Sequence, residues 1–170
     1  MESQYLSIKQ EQDGLQQTEL QLRFGYKLTK LDGDLIQKLF IIEEGLKKFP
    51  QVDVPERFLF AKGICVKEVI LPKGSLIISR VHRHSGITII SKGDVSVLCD
   101  EKEGWKRIKA PCTFESPAGT KRALYMHEET VWANMLATDE TDLDKLKEEW
   151  TIGSYREYLK LKDTLLIEGK

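Results

Sequence analysis

The spacing of apolar and polar residues changes character three times along the chain. Over residues 34–49, Leu35, Leu39, Ile42, Leu46 and Phe49 recur at alternating steps of four and three. That spacing sets five apolar side chains on one helical face. Asp34 stands where an N-cap belongs, Gln37 follows as its reciprocal partner, and Pro50 closes the run. Ile36, Phe40 and Ile41 spread apolar surface beyond that face, which points to contact with a second subunit. From about Phe58 to Thr138 the pattern shortens into extended runs rich in β-branched and aromatic residues. They are Ile64 to Leu71, Leu76 to His82, Ile87 to Ile90, Val95 to Leu98, Trp105 to Lys109, Thr120 to Met126 and Thr130 to Ala137. Turn residues separate them, as in Pro72-Lys73-Gly74, Ser91-Lys92-Gly93-Asp94 and Ser116-Pro117-Ala118-Gly119. Helical spacing returns after Thr138. Leu143, Leu146 and Trp150 share one side, and Ser154 with Glu157 forms a second capping box ahead of Tyr158, Leu161 and Leu165.

Short strands at this spacing predict a mainly β fold, a small barrel or jelly roll with an N-terminal helix and C-terminal helices. The expected division is a flexible arm over 1–30, the helix within 31–54, the barrel over 55–138 and a helical segment over 139–170. Residues 1–30 are rich in Gln, Glu, Lys and Ser with scattered Leu, the composition of a poorly packed lead-in.

Composition narrows the partners. A net charge of −1 supplies no basic field for nucleic acid or an anionic membrane. No apolar run is long enough to span a bilayer, and Met1-Glu2-Ser3-Gln4 lacks the basic-then-apolar order of a signal peptide. Cys65, Cys99 and Cys112 are odd in number and match no zinc or redox spacing. A reduced, cytoplasmic setting is the expectation.

Candidate chemistry centres on His82 and His84, two of only three histidines. Side chains at i and i+2 of a strand share a face, so the two imidazoles are expected to project together, as half of a metal site or as an acid/base pair. Arg80 has the same parity.

The Gly74…His82-Arg83-His84…Gly93 run and the later Pro117-Ala118-Gly119 turn resemble the two motifs of the cupin superfamily, over roughly residues 55–138. The resemblance implies a barrel whose metal-bearing members hold iron, manganese, nickel or zinc with three histidines and a glutamate. His82 and His84 fit two of those positions. None of Ser85 to Ile89 supplies the glutamate, Arg122 stands at the third histidine, and Met126 stands at the motif's asparagine. Seven residues separate Gly74 from His82, where the motif has five. A looser likeness, in general sequence texture, is to small cupin-like proteins of tailed bacteriophages, which implies a host cytoplasm.

His127 is offset by an odd step from Arg122, which places it on the opposite face, in an exposed turn beside Glu128 and Glu129. An arginine in a ligand position repels a dication and cannot be deprotonated at working pH. Inside the barrel, Arg122, His82 and Arg80 favour a small anion.

Three readings follow from the resemblance. One is a small-molecule-binding or interaction protein with a degenerate metal site and no cofactor. A second is a metal-dependent dioxygenase or isomerase, with a divalent metal on His82 and His84 and a third ligand from His127, Glu115 or Glu68. A third is metal-free epimerisation or isomerisation of a sugar nucleotide. It would use His82 or His84 as base, Tyr125 as acid and Arg80 or Arg122 on the phosphates. A homodimer or higher homo-oligomer is expected in each case.

Overall fold

A computed structural model describes residues 6–8 and 24–168, with side chains described over 24–165. Twelve described strands are present: β1 Leu6–Ile8, β2 Glu56–Ala61, β3 Ile64–Leu71, β4 Leu76–Ile78, β5 Val81–His82, β6 Gly86–Lys92, β7 Asp94–Leu98, β8 Lys106–Lys109, β9 Cys112–Ser116, β10 Ala123–Met126, β11 Thr130–Ala137 and β12 Thr151–Ile152. Three helices complete the description: α1 Leu35–Leu46, α2 Leu143–Trp150 and α3 Tyr155–Glu168. Residues 24–29 are also helical.

The barrel is one long antiparallel hairpin rolled on itself. Its tip joins β7 to β8, and the rungs outward are β6 with β9, β4 with β10, and β3 with β11. Rolling deals these pairs alternately into two sheets, ordered β1-β4-β10-β7-β8 and β2-β3-β11-β6-β9. This is a jelly roll, with helices at both ends of the chain, as the strand pattern leads one to expect. The reversal between β6 and β7 requires Gly93: its φ is +107°, and a Cβ there would lie 2.7 Å from the Thr130 Cα.

Between the sheets, Val69, Leu71, Ile77, Val95, Leu124 and Trp132 form one apolar cluster. The first sheet buries its outer face as well, where Leu76, Ile78, Ala123 and Tyr125 meet Leu39, Ile42 and Leu46 of α1. Strands covered on both sides lose the in–out alternation, so β4, β7 and β10 are buried at every position. The outer face of the second sheet instead exposes Leu59, Ile64, Ile70 and Ile87.

α1 starts as its cap predicts, with the Gln37 N–H donating to Asp34 Oδ1 at 2.9 Å. It ends at Leu46, short of Pro50, and Phe49 is half exposed. Ile36 and Phe40 pack with Tyr158 and Leu161 of α3, so α3 covers part of the surplus surface that pointed to a second subunit, while Ile41 stays exposed. Tyr155 of α3 donates to Asp34 Oδ2 at 3.3 Å, and Lys162 lies 3.6 Å from the same oxygen. Much of the arm expected over 1–30 lies outside the described residues. The described parts are not an arm, since β1 pairs with β4 and Phe24 and Leu28 are buried against α1.

Four described strands escape the sequence pattern, β1, β2, β9 and β12. β2 is an exposed edge strand and β9 is bracketed by prolines, so neither presents a run of buried β-branched residues. The run Leu76 to His82 breaks at Ser79 and Arg80, and the strand expected from Thr120 begins at Ala123.

One buried ion pair locks α1 to the barrel. Lys121 is 1% exposed. Its Nζ lies 2.6 Å from Glu43 Oε2, donates to the Ser79 carbonyl at 2.9 Å and sits 4.2 Å from the centre of the Phe40 ring. Burial lowers its pKa, and the Glu43 carboxylate opposes that shift. Removing one partner strands a buried charge, so Lys121→Ala is expected to cost about 3–5 kcal/mol. The double variant Lys121→Met with Glu43→Leu should recover much of that loss, as read from urea denaturation midpoints of the full chain.

Candidate functional site

The site lies where the barrel's apolar core gives way to polar side chains, under the cap formed by α2 and β12. On β3, Cys65, Lys67, Val69 and Leu71 share the inward face. On β11 the inward set is Trp132, Asn134 and Leu136. After β4 the chain bends through Ser79 and Arg80, then re-forms as β5, which pairs with β12 through His82 opposite Thr151. The Gly119 N–H donates to the His82 carbonyl at 2.8 Å, which binds the Pro117-Ala118-Gly119 turn to that strand.

These elements enclose a cavity of about 30 Å³, room for roughly two water molecules. Ser79, Arg80, His82, Arg122 and Asn134 supply its polar wall. Val69, Leu71, Leu124 and Trp132 supply the apolar one, and no carboxylate among the described residues lines it. A second chamber of about 40 Å³ shares His82 and Asn134 with the first. Lys67 and Lys147 line it together with Phe58, Leu146 and Trp150.

The cations are unevenly satisfied. Arg122 is 8% exposed. It donates from Nη1 to Ser116 Oγ at 2.9 Å, and its guanidinium lies 5.9 Å from the Phe114 ring centre. Burial lowers its pKa. The Nε of Arg80 is buried and makes no hydrogen bond, a costly state for a guanidinium. Arg80 also borders an open groove at the mouth, beside Arg83, Lys147 and Glu157. Lys67, 5% exposed, pairs with Glu56 at 2.9 Å, and its pKa is lowered to about 8 by burial against the pull of Glu56. His82 is pushed down to about 4, first by desolvation and then by the charges of Arg122 and Lys67. The imidazole is therefore neutral at pH 7, able to donate from one nitrogen and accept at the other. Asn134 Oδ1 accepts from Thr88 at 3.0 Å and from Trp132 Nε1 at 3.3 Å, which leaves its NH₂ as the donor it can offer a ligand.

The candidates fare differently. Arg80, His82 and Arg122 line one cavity. His84 does not. The strand ends at His82, and His84 lies exposed with its ring 5.1 Å from that of Trp150. The rule that i and i+2 share a face fails because the chain bends at 83–84. Tyr125 is fully buried on the other face of β10, under α1, so the acid of a metal-free isomerase is missing from the chamber. His127 does face away from Arg122, but it is buried, not exposed. Its Nε2 lies 2.7 Å from Ser96 Oγ, and its ring packs 5.1 Å from Tyr125.

A divalent metal does not fit this donor set. One imidazole faces two guanidiniums and a lysine, whereas a catalytic metal needs about three neutral or anionic protein ligands. Among the described residues no three His, Cys, Asp or Glu side chains converge. Sequence reasoning missed Lys67, Ser79 and Asn134. Parity marks Lys67 and Asn134, since each falls between buried apolar residues on an inward face, but nothing in the sequence tells that the two faces meet.

No protein-family model matches this sequence, and no curated protein matches it. Solved structures do resemble it. Ectoine synthase from P. lautus aligns with a TM-score of 0.48 at 12% identity, over 61% of this chain and 78% of that one. A cupin superfamily protein from Desulfitobacterium hafniense aligns at 0.43 and 11%, over 56% and 86%. Acetylacetone dioxygenase from Acinetobacter johnsonii aligns at 0.42 and 19%, over 49% of this chain and 59% of its own length. The expectation of a jelly roll is met by the strand order itself. No helix of the described residues is long and apolar enough to cross a membrane.

His82 gives this site a signature in pH. Unfolded, it takes a proton near pH 6.5, and folded only near 4. Between those values the unfolded chain binds more protons. Stability from this residue is therefore complete above about pH 6.5 and falls as pH drops toward 4, by up to about 3 kcal/mol. Urea midpoints measured across that window should decline for the native chain and decline less for His82→Gln.

Proposed function

We propose that the barrel interior binds a small oxyanion, a carboxylate or phosphate, and that the protein is a small-molecule-binding module. Arg122 and Arg80 supply the charge, and His82, Ser79 and Asn134 supply neutral polar groups around it. One observation carries the reading: a buried cavity lined by two guanidiniums and no carboxylate, with the Arg80 Nε lacking any partner. Guanidinium forks match planar or tetrahedral oxyanions in bidentate fashion. An oxyanion replacing the cavity's water would satisfy the donors and neutralise charge that the interior otherwise bears alone. The cavity volume limits the ligand to a few heavy atoms, which disfavours a sugar nucleotide.

The metal-dependent alternative fares worse on the same chemistry. Protein purified without added metal is expected to carry less than stoichiometric iron, manganese or zinc by elemental analysis. Stoichiometric metal lost in a His82→Ala, His84→Ala double variant would overturn the oxyanion reading.

The positive test is a thermal-shift titration with inorganic phosphate and with acetate. At least one should raise the melting temperature in a saturable way. Arg122→Gln should weaken that response roughly tenfold or more, the value of a charge-assisted bond. The same variant should leave the ligand-free melting temperature unchanged or higher, because it removes a buried charge.

A further inference from the structure

We propose that Lys67 is a covalent element of this chamber, its ε-amine condensing with the carbonyl of a small oxo-carboxylate whose carboxylate group rests on Arg80 and Arg122. The inference builds on the oxyanion reading and names a narrower ligand class. Its basis is the junction of the two chambers. His82 and Asn134 line both, so an anionic head in the first places the next atoms of the ligand toward the second, where Lys67 forms part of the wall.

The surroundings of Lys67 suit an amine nucleophile. Its Nζ lies 5.5 Å from the centre of the Phe58 ring and 2.9 Å from Glu56 Oε1, on a side chain that is 5% exposed. The charged groups that act on it are Glu56, which favours the ammonium, and Arg80 and Lys147, which disfavour it. Desolvation outweighs all three and brings the pKa to about 8, so roughly a tenth of the amine is neutral at pH 7. Buried lysines next to other cations serve as imine-forming nucleophiles for this reason.

The step balances within the site. Glu56 takes one proton from the ammonium, and the freed nitrogen lone pair forms the C–N bond as the carbonyl π pair moves to oxygen. A second nitrogen proton moves to that oxygen, giving the carbinolamine. The hydroxyl then leaves as water with the proton held by Glu56, giving the protonated imine, with no oxidant or reductant needed.

Trapping tests it. The full chain is incubated with glyoxylate and sodium cyanoborohydride, which delivers hydride to the C=N bond, and adducts are located by peptide mass spectrometry. The expected result is one reduced adduct on Lys67, absent in Lys67→Arg and formed roughly tenfold or more slowly in Arg122→Gln. Melting curves confirm that both variants are folded, and Lys67→Met serves if Lys67→Arg is not. If phosphate raises the melting temperature but Lys67 carries no adduct, or carries no more than exposed lysines do, the imine is refuted and the oxyanion reading survives. If neither glyoxylate nor phosphate stabilises the protein and no Lys67 adduct forms, both fall.

Discussion

Positive charge enclosed in the barrel is the constraint around which the rest of this structure is arranged. A low-dielectric interior tolerates an ion only when other groups compensate it. Each cation here has been given a different answer. Lys121 has a full ion pair with Glu43 and a carbonyl besides. Lys67 has Glu56, which sits on the edge strand and is partly wet. Arg122 has a hydroxyl and an aromatic face, and the Nε of Arg80 has nothing. Compensation is most complete at Lys121, the most buried of the four, and least complete at Arg80, which also borders the mouth. His82 completes the pattern by remaining uncharged, since a protonated imidazole would add a further positive charge beside Arg122 and Lys67.

Much of the architecture was legible in the sequence because it rests on periodicity. The step pattern of α1, the caps at Asp34 and Ser154, and the strands with one buried face all follow from local rules. The site was legible only in part. Arg122 reaches the cavity beside the Pro117–Gly119 turn, although it precedes β10 and does not lie within it. His84 was misplaced because parity arguments hold only while the strand lasts, and it stops at His82. His127 shows the complementary failure. Its facing direction was right, but burial depends on what closes on that face, and parity does not reveal that Ser96 and Tyr125 do so. Lys67 and Glu56 were overlooked because their meaning depends on a pairing between β2 and β3 that exposed residues on β2 do not advertise.

The resemblance to a metal-binding barrel and the chemistry of the cavity separate at this point. A fold supplies a place, and the side chains that line it decide what can be held there. Arg80 and Arg122 line this cavity beside His82, with no carboxylate of the described residues, a donor set that does not suit a dication.

The cap over the mouth has a temporal consequence. α2 and β12 are made after all the barrel strands, and they close the chamber by pairing Thr151 and Ile152 with Val81 and His82, far back in the chain. Trp150, 2% exposed, is seated between Leu146, Leu136 and Cys65 in that closure. Until those last residues emerge from the ribosome, the basic interior stays open to water and its charges remain hydrated. The desolvation that makes His82 neutral and Lys67 a weaker base is therefore acquired last.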